Sequence, residues 1–247
     1  MTGIRPRPGS RAAATLTLLL ATTASSAFAA GFQLETRIAL GDIRGRIDHL
    51  AVDLSRQRLY VAELGNDSVG VVDIKEHKAI RTLTGLREPQ GIAYVPSTDM
   101  LYVANAKDGS LRLFKGRDLT PVAQLALGED ADNVRVDESA HRVFVGYGSG
   151  ALAMIDTDTR AKVGDIALDG HPESFRLDAS GKQIFVNVPD AHEIAVVDRA
   201  TNKQVATWKT GVHFANYPLA LDEQGHCWLS FATRQGSPCS SRRRVNY

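Results

Sequence analysis

Four polar residues recur at one fixed place in a repeating chain. Asp48, Gln90, Asp132 and Glu173 stand 42, 42 and 41 residues apart, each just ahead of a short apolar run. Oxygens delivered from four repeats to a common axis form the ligand set that hard cations prefer. A cation held there would polarise a carbonyl or activate a water molecule. Asp48, Asp132 and Glu173 are therefore candidate metal ligands, with calcium or magnesium as the candidate cofactor. His49, Gln90, Asn133 and Asn216 sit beside them as candidate ligand-binding residues. A blander reading competes: acids ahead of strands are often solvated, or accept hydrogen bonds from nearby backbone as turn residues. His49, His171 and His213 add imidazoles suited to zinc or copper. Their offsets within the repeat differ, which favours solvated or capping roles instead.

The elements that must position these residues follow from the repeat itself. Tyr60, Tyr102, Phe144, Phe185 and Trp228 are matching residues separated by 42, 42, 41 and 43. A second anchor, Asp73, Lys115, Asp156 and Asp198, gives 42, 41 and 42. Within the first unit, apolar residues alternate over Leu50–Val52, Leu59–Ala62, Val69–Val72 and Ala79–Leu83, the period of half-buried strands. Polar turn residues separate them, such as Gly65-Asn66-Asp67. Four short antiparallel strands per repeat make one blade of a β-propeller. The expected fold is all-β, a propeller of four-stranded blades with four full blades and a partial fifth. The blades cover residues 46–87, 88–129, 130–170 and 171–212, with 213–231 as the partial one. The loops leading into the inner strands share one face, so the four polar residues would meet at the mouth of the central channel.

Two stretches break the pattern. Residues 30–45 read as an outer strand and its exit loop, placed to close the ring and cover open sheet edges. After Phe231 the period is lost, and residues 232–247 read as an irregular tail containing Arg242-Arg243-Arg244. Loss of the period predicts a truncated or frameshifted propeller, in preference to a five-bladed ring with a basic tail.

Leu59-Tyr60-Val61-Ala62-Glu63 and Leu101-Tyr102-Val103-Ala104-Asn105 resemble the YVTN-type repeat of exported bacterial propellers, as does the Val-Val-Asp ending at Asp73 and Asp198. The resemblance runs from residue 46 to about 231 and implies a ring of about six to eight blades. The position of the acidic residues is similar to that of the metal site in gluconolactonase-like propellers, which implies a metal-dependent hydrolase as the alternative function. The stretch Asp198 to Trp208 resembles the tryptophan-docking repeat of quinoprotein dehydrogenases, but Asn202 stands where glycine belongs, and a Thr-Asn turn accounts for it.

Bulk properties narrow the function classes. Arg5, Arg7 and Arg11 precede an apolar run over 12–24, followed by Ala27-Phe28-Ala29. That is a secretory signal over 1–29 with cleavage near Ala29, and its apolar run is too short to span a bilayer. Removing it takes the net charge from +1 to −2. A near-neutral surface gives nucleic acid no basic footprint to bind. The 2 cysteines, Cys227 and Cys239, are too few for a disulfide framework. Gly146-Tyr147-Gly148-Ser149-Gly150 lacks the nucleophile-elbow order and reads as a hairpin loop. The expected protein is a periplasmic or secreted binding module without a membrane span, meeting a protein or small-molecule ligand at the propeller face.

Overall fold

In a computed structural model, residues 33–211, 216–221, 227–230 and 242–245 are described. The chain divides into two units, Met1–Glu35 and Thr36–Tyr247, and every sheet among the described residues belongs to the second. Blade one comprises β1 (Leu50–Asp53), β2 (Arg58–Glu63), β3 (Ser68–Asp73) and β4 (Lys78–Thr84). Blade two holds β5 (Pro89–Val95), β6 (Met100–Asn105), β7 (Ser110–Lys115) and β8 (Pro121–Ala126). Blade three holds β9 (Val134–Asp137), β10 (Arg142–Tyr147), β11 (Ala151–Asp156) and β12 (Lys162–Ala167). Blade four holds β13 (Phe175–Leu177), β14 (Gln183–Val188), β15 (Glu193–Asp198) and β16 (Lys203–Lys209). A fifth sheet pairs β17 (Leu219–Leu221), β18 (Cys227–Ser230) and β19 (Arg242–Val245). Each sheet is antiparallel and ordered as the chain runs.

The repeated aromatic residue organises each blade. Tyr60 lies opposite Ala51 on one side and Val71 on the other, so the three share one face of the sheet. Tyr102, Phe144 and Phe185 hold the same register in blades two to four. That face packs on the next sheet in the chain. Tyr60 meets Leu101 and Val103, Tyr102 meets Val143 and Val145, Phe144 meets Ile184 and Val186, and Phe185 meets Leu219. The core is thus a series of apolar layers between consecutive sheets, and its driving force is burial of these faces.

Turn chemistry repeats with the same period. His77, Leu119, Arg160 and Asn202, 42, 41 and 42 residues apart, all take φ between 51° and 60° in the turn before the outer strand. In blade four the Asp198 carboxylate closes that turn, its Oδ1 accepting from the Thr201 N–H and hydroxyl, each at 2.8 Å. Trp208 meanwhile stacks on Phe185 within its own blade, with centroids 5.3 Å apart. The stretch from Asp198 is therefore an ordinary strand turn.

Two of the core tyrosines differ in one respect that predicts opposite mutational signs. The Tyr60 hydroxyl donates to the Gly116 carbonyl at 3.2 Å, whereas the buried Tyr102 hydroxyl has no hydrogen-bond partner. Tyr60→Phe should cost about 1 kcal/mol, and Tyr102→Phe should gain a similar amount by removing an unsatisfied polar group. Urea midpoints of the two variants, measured side by side, check this; equal shifts would contradict it.

The structure departs from the sequence reading at both ends of the blade array. Residues 33 to 40 join no sheet, so the outer strand expected over 30–45 is not seen there, and residues 30–32 lie outside the described residues. Instead the exit loop is pinned by Asn66, whose side chain accepts from the Arg44 N–H at 3.0 Å and donates to its carbonyl at 2.7 Å. This amide reproduces locally the pair of bonds a strand neighbour would give. At the other end, the stretch expected to be irregular carries β19, which pairs with β18. Its Arg-rich sequence lacks apolar alternation, so no period-2 pattern announces it. Among the described residues no helix is long and apolar enough to cross a membrane.

Candidate functional site

In blades one, three and four the inner strand is preceded by two residues that extend its pairing with the second strand. The Asp48 N–H donates to Ala62 O at 2.8 Å, and His49 O accepts from the Ala62 N–H at 3.0 Å. Asp132 and Asn133 repeat this exchange with Gly146, and Glu173 and Ser174 repeat it with Asn187, at 2.9 to 3.0 Å. These paired bonds hold Asp48, Asp132 and Glu173 at equivalent points of their blades. Blade two brings its own lead-in close to blade three: a Cβ on Gly91 would fall onto the Asp132 carbonyl oxygen, so no larger residue fits there.

The lead-ins converge on one cavity of about 700 Å³. Asp48, His49, Gln90, Asp132, Asn133 and Glu173 all line it, together with His171. Asn216 does not join them. It is fully buried, with its side-chain N–H group donating to the Glu193 carbonyl at 3.2 Å, and it docks the fifth sheet on blade four. Tyr217 takes the lining position instead, and the Asn187 side chain fixes the Tyr217 carbonyl at 3.2 Å. His213 lies outside the described residues.

Two of the four equivalent oxygen donors share one arginine. Arg46 Nη2 donates to Asp48 Oδ2 at 2.9 Å and to Gln90 Oε1 at 3.3 Å, so an internal cation occupies two of them. The other Asp48 oxygen stands 3.0 Å from His49 Nδ1. This neighbouring imidazole, and after it Arg46, hold the Asp48 carboxyl below its usual range against the opposing effect of burial. Among the described residues no group of three or more His, Cys, Asp or Glu side chains is gathered closely enough to hold a metal ion.

Asp132 and Glu173 face the cavity without such a counter-ion. Asp132 is 6% exposed; its Oδ2 accepts from Asn133 Nδ2 at 3.2 Å, and its buried Oδ1 has no hydrogen-bond partner. Burial pushes both carboxyls up, and the Asp132 charge raises Glu173 further. His171 is committed elsewhere: its Nδ1 lies 2.6 Å from the Gly148 carbonyl, which can only accept, so Nδ1 carries the proton.

Sequence reasoning missed Arg46, Arg135 and Arg176, which line the cavity along with Asp130, Ser174, Pro218 and Leu219. A signal was present for two of them. Arg135 and Arg176 occupy the inner-strand position held elsewhere by Ala51, Ala93 and Ala220, opposite the repeated aromatic residue. A guanidinium at a site the repeat fills with a methyl group marks a place where blades three and four differ from the rest.

No family model and no curated protein sequence matches the chain. Among solved structures it resembles the hydrazine synthase of Kuenenia stuttgartiensis, with a TM-score of 0.69 and 17% identity over 85% of this chain. The match covers 62% of that chain, so the present sequence spans less than two thirds of its neighbour. Structural likeness extends to 1488 solved chains, a breadth that carries architecture and not chemistry. What the comparison shows is the fold, a β-propeller-like array of four-stranded antiparallel sheets.

Proposed function

We propose that this chain is an exported binding module that takes a small ligand in the cavity where its inner-strand lead-ins meet. The observation that carries this reading is the convergence of Asp48, Gln90, Asp132 and Glu173, from four separate blades, on one cavity of about 700 Å³. That volume is in the range of small-molecule sites, and the lining is polar with charges of both signs. Export is supported by the positive and apolar segments before Ala29. The in-register strings at Tyr60 and Tyr102 support placing the chain with YVTN-type propellers of the periplasm or cell envelope.

The test is equilibrium dialysis of the mature protein against a small-metabolite extract of the periplasm, with retained compounds identified by mass spectrometry. Ser174 lines the cavity, so Ser174→Trp should block it without changing its charge. The expected result is one or a few compounds retained by the wild-type protein and lost from a folded Ser174→Trp variant. Equal retention by both proteins would remove the cavity from the function. Hydrolysis of a lactone panel that is abolished by EDTA would replace this reading with metal-dependent hydrolysis at Asp48, Asp132 and Glu173.

A further inference from the structure

Two neighbouring guanidiniums line the cavity. Arg135 is on β9 and Arg176 on β13, and both donate to one acceptor, the Phe175 carbonyl, at 3.1 Å from Arg135 Nε and 3.0 Å from Arg176 Nη1. Their charges are therefore close neighbours. Arg135 also donates to the Val134 carbonyl at 2.7 Å and to Asn133 Oδ1 at 3.0 Å, and its guanidinium lies 5.6 Å from the Phe175 ring centre. Burial first, and then the charge of Arg176, push Arg135 down to about 10. Among the described residues neither arginine has a carboxylate partner in an ion pair. Each keeps N–H donors to spare, since a guanidinium offers more donors than these bonds use.

The opposite sign is present in the same cavity and equally unneutralised. Asp132 keeps a buried oxygen without a partner, and the Glu173 side chain accepts no hydrogen bond among the described residues. Asn133 stands between the two sets. Its Nδ2 serves Asp132 and its Oδ1 serves Arg135, so the acid and the base are bridged by an amide and not paired directly. Charges withdrawn from water and left without partners are costly to a folded protein. Two adjacent cations and two adjacent anions, held apart within one small cavity, form a dipolar receptor.

Building on the binding reading above, we propose that the ligand is a small zwitterion of the amino-acid kind. Its carboxylate is held by Arg135 and Arg176, and its protonated amine by Asp132 and Glu173. A planar guanidinium matches a carboxylate in geometry as well as charge. The ligand's ammonium group would supply donors to the bare Asp132 and Glu173 oxygens. Binding would satisfy both sets of unpaired charges in one event.

Isothermal titration of the mature protein at low ionic strength tests this with defined probes: acetate, methylamine, and the series glycine, β-alanine, γ-aminobutyrate and 6-aminohexanoate. At least one amino acid is expected to bind about tenfold tighter than either acetate or methylamine, the gain expected from a second charge-assisted contact. Arg176→Gln should weaken its binding severalfold toward the affinity of methylamine, and Glu173→Gln severalfold toward that of acetate, Arg135 and Asp132 keeping the other half of each contact. Should Arg176→Gln fold poorly, Arg176→Lys keeps the charge but loses the planar fork, and it too should bind more weakly. Amino acids that bind no better than acetate, or that give no heat, overturn the proposal, as does unchanged affinity in Arg176→Gln and Glu173→Gln. A periplasmic compound lost from Ser174→Trp but indifferent to these two charge variants would leave the binding module standing and remove the zwitterion.

Discussion

Arg56→Ala should destabilise the protein by about 3–5 kcal/mol, because it strands a fully buried carboxylate without its cation. That carboxylate is Asp53, at the end of β1, with 0% of its surface exposed. Arg56 Nη1 donates to Asp53 Oδ2 at 2.7 Å and reaches across to blade two, donating to the Tyr94 hydroxyl at 2.9 Å and pairing with Asp99 Oδ1 at 2.9 Å. The Tyr94 hydroxyl in turn donates to Asp99 at 3.0 Å. One guanidinium thus ties the end of one blade to the first hairpin of the next. Its loss breaks both the local charge pair and the tie between blades.

The same cluster gives the fold a defined sensitivity to acid. Burial acts to raise the Asp53 carboxyl, but hydrogen bonds from Ser55 and Arg56 outweigh it and leave the group below 3.8. A carboxyl depressed in the folded state binds fewer protons there than in the unfolded chain. Its stabilising contribution is therefore complete above the unfolded value and disappears as pH falls through the folded one. Urea denaturation should show wild-type stability falling below about pH 4, with a smaller fall in Arg56→Ala because the pairing is already gone. A neutral-pH loss below about 1 kcal/mol, the scale of an exposed ion pair, would refute the assigned role of Arg56.

Phe185→Ala carries the other large expected effect, a loss of about 3–5 kcal/mol. Phe185 is fully buried in β14, stacks on Trp208 with an interplanar angle of 29°, and packs with Ile194, Val196 and Leu219. Leu219 belongs to β17, so this cluster attaches the fifth sheet to blade four. Removing the ring leaves a cavity at that junction, lined by Ile194, Val196, Trp208 and Leu219. Phe185→Leu should recover roughly half of the loss by restoring most of the volume. Chemical denaturation followed by tryptophan emission reads the stability, and a Trp228→Phe background isolates the emission of Trp208. A loss no larger than that of an exposed substitution, about 0.5 kcal/mol, would mean that the fifth sheet does not rest on this ring.

The blades were legible in the sequence because everything that defines them is local. Alternation over Leu59–Ala62, an aromatic residue every 41 to 43 positions and, in blades one, three and four, an aspartate before the last turn specify strand, face and turn within a few residues of each other. The same locality makes Asp48, Asp132 and Glu173 recoverable as equivalent positions, and they do line one cavity. Where the period stopped, the pattern lost its reach. The residues before Arg46 alternate as a strand would, yet a strand forms only with a neighbour to bond, and residues 33 to 40 pair with no strand among the described residues. Conversely, Arg242–Val245 finds a partner in β18 without any alternating pattern.

The charge balance of the cavity was settled only in three dimensions. Arg46 lies beside Asp48 in sequence, but its bond to Gln90 depends on how blade two meets blade one. Arg135 and Arg176 are 41 residues apart, and nothing in their spacing says that both donate to the Phe175 carbonyl. Asn216 keeps the offset of a mouth residue, yet packing of the fifth sheet turns it inward to the Glu193 carbonyl. Periodicity fixes which residues are equivalent within their blades, since each blade is built from near-neighbour strand pairs. Which side chains are neutralised, bridged or left bare depends on contacts between blades, and those belong to the tertiary structure alone.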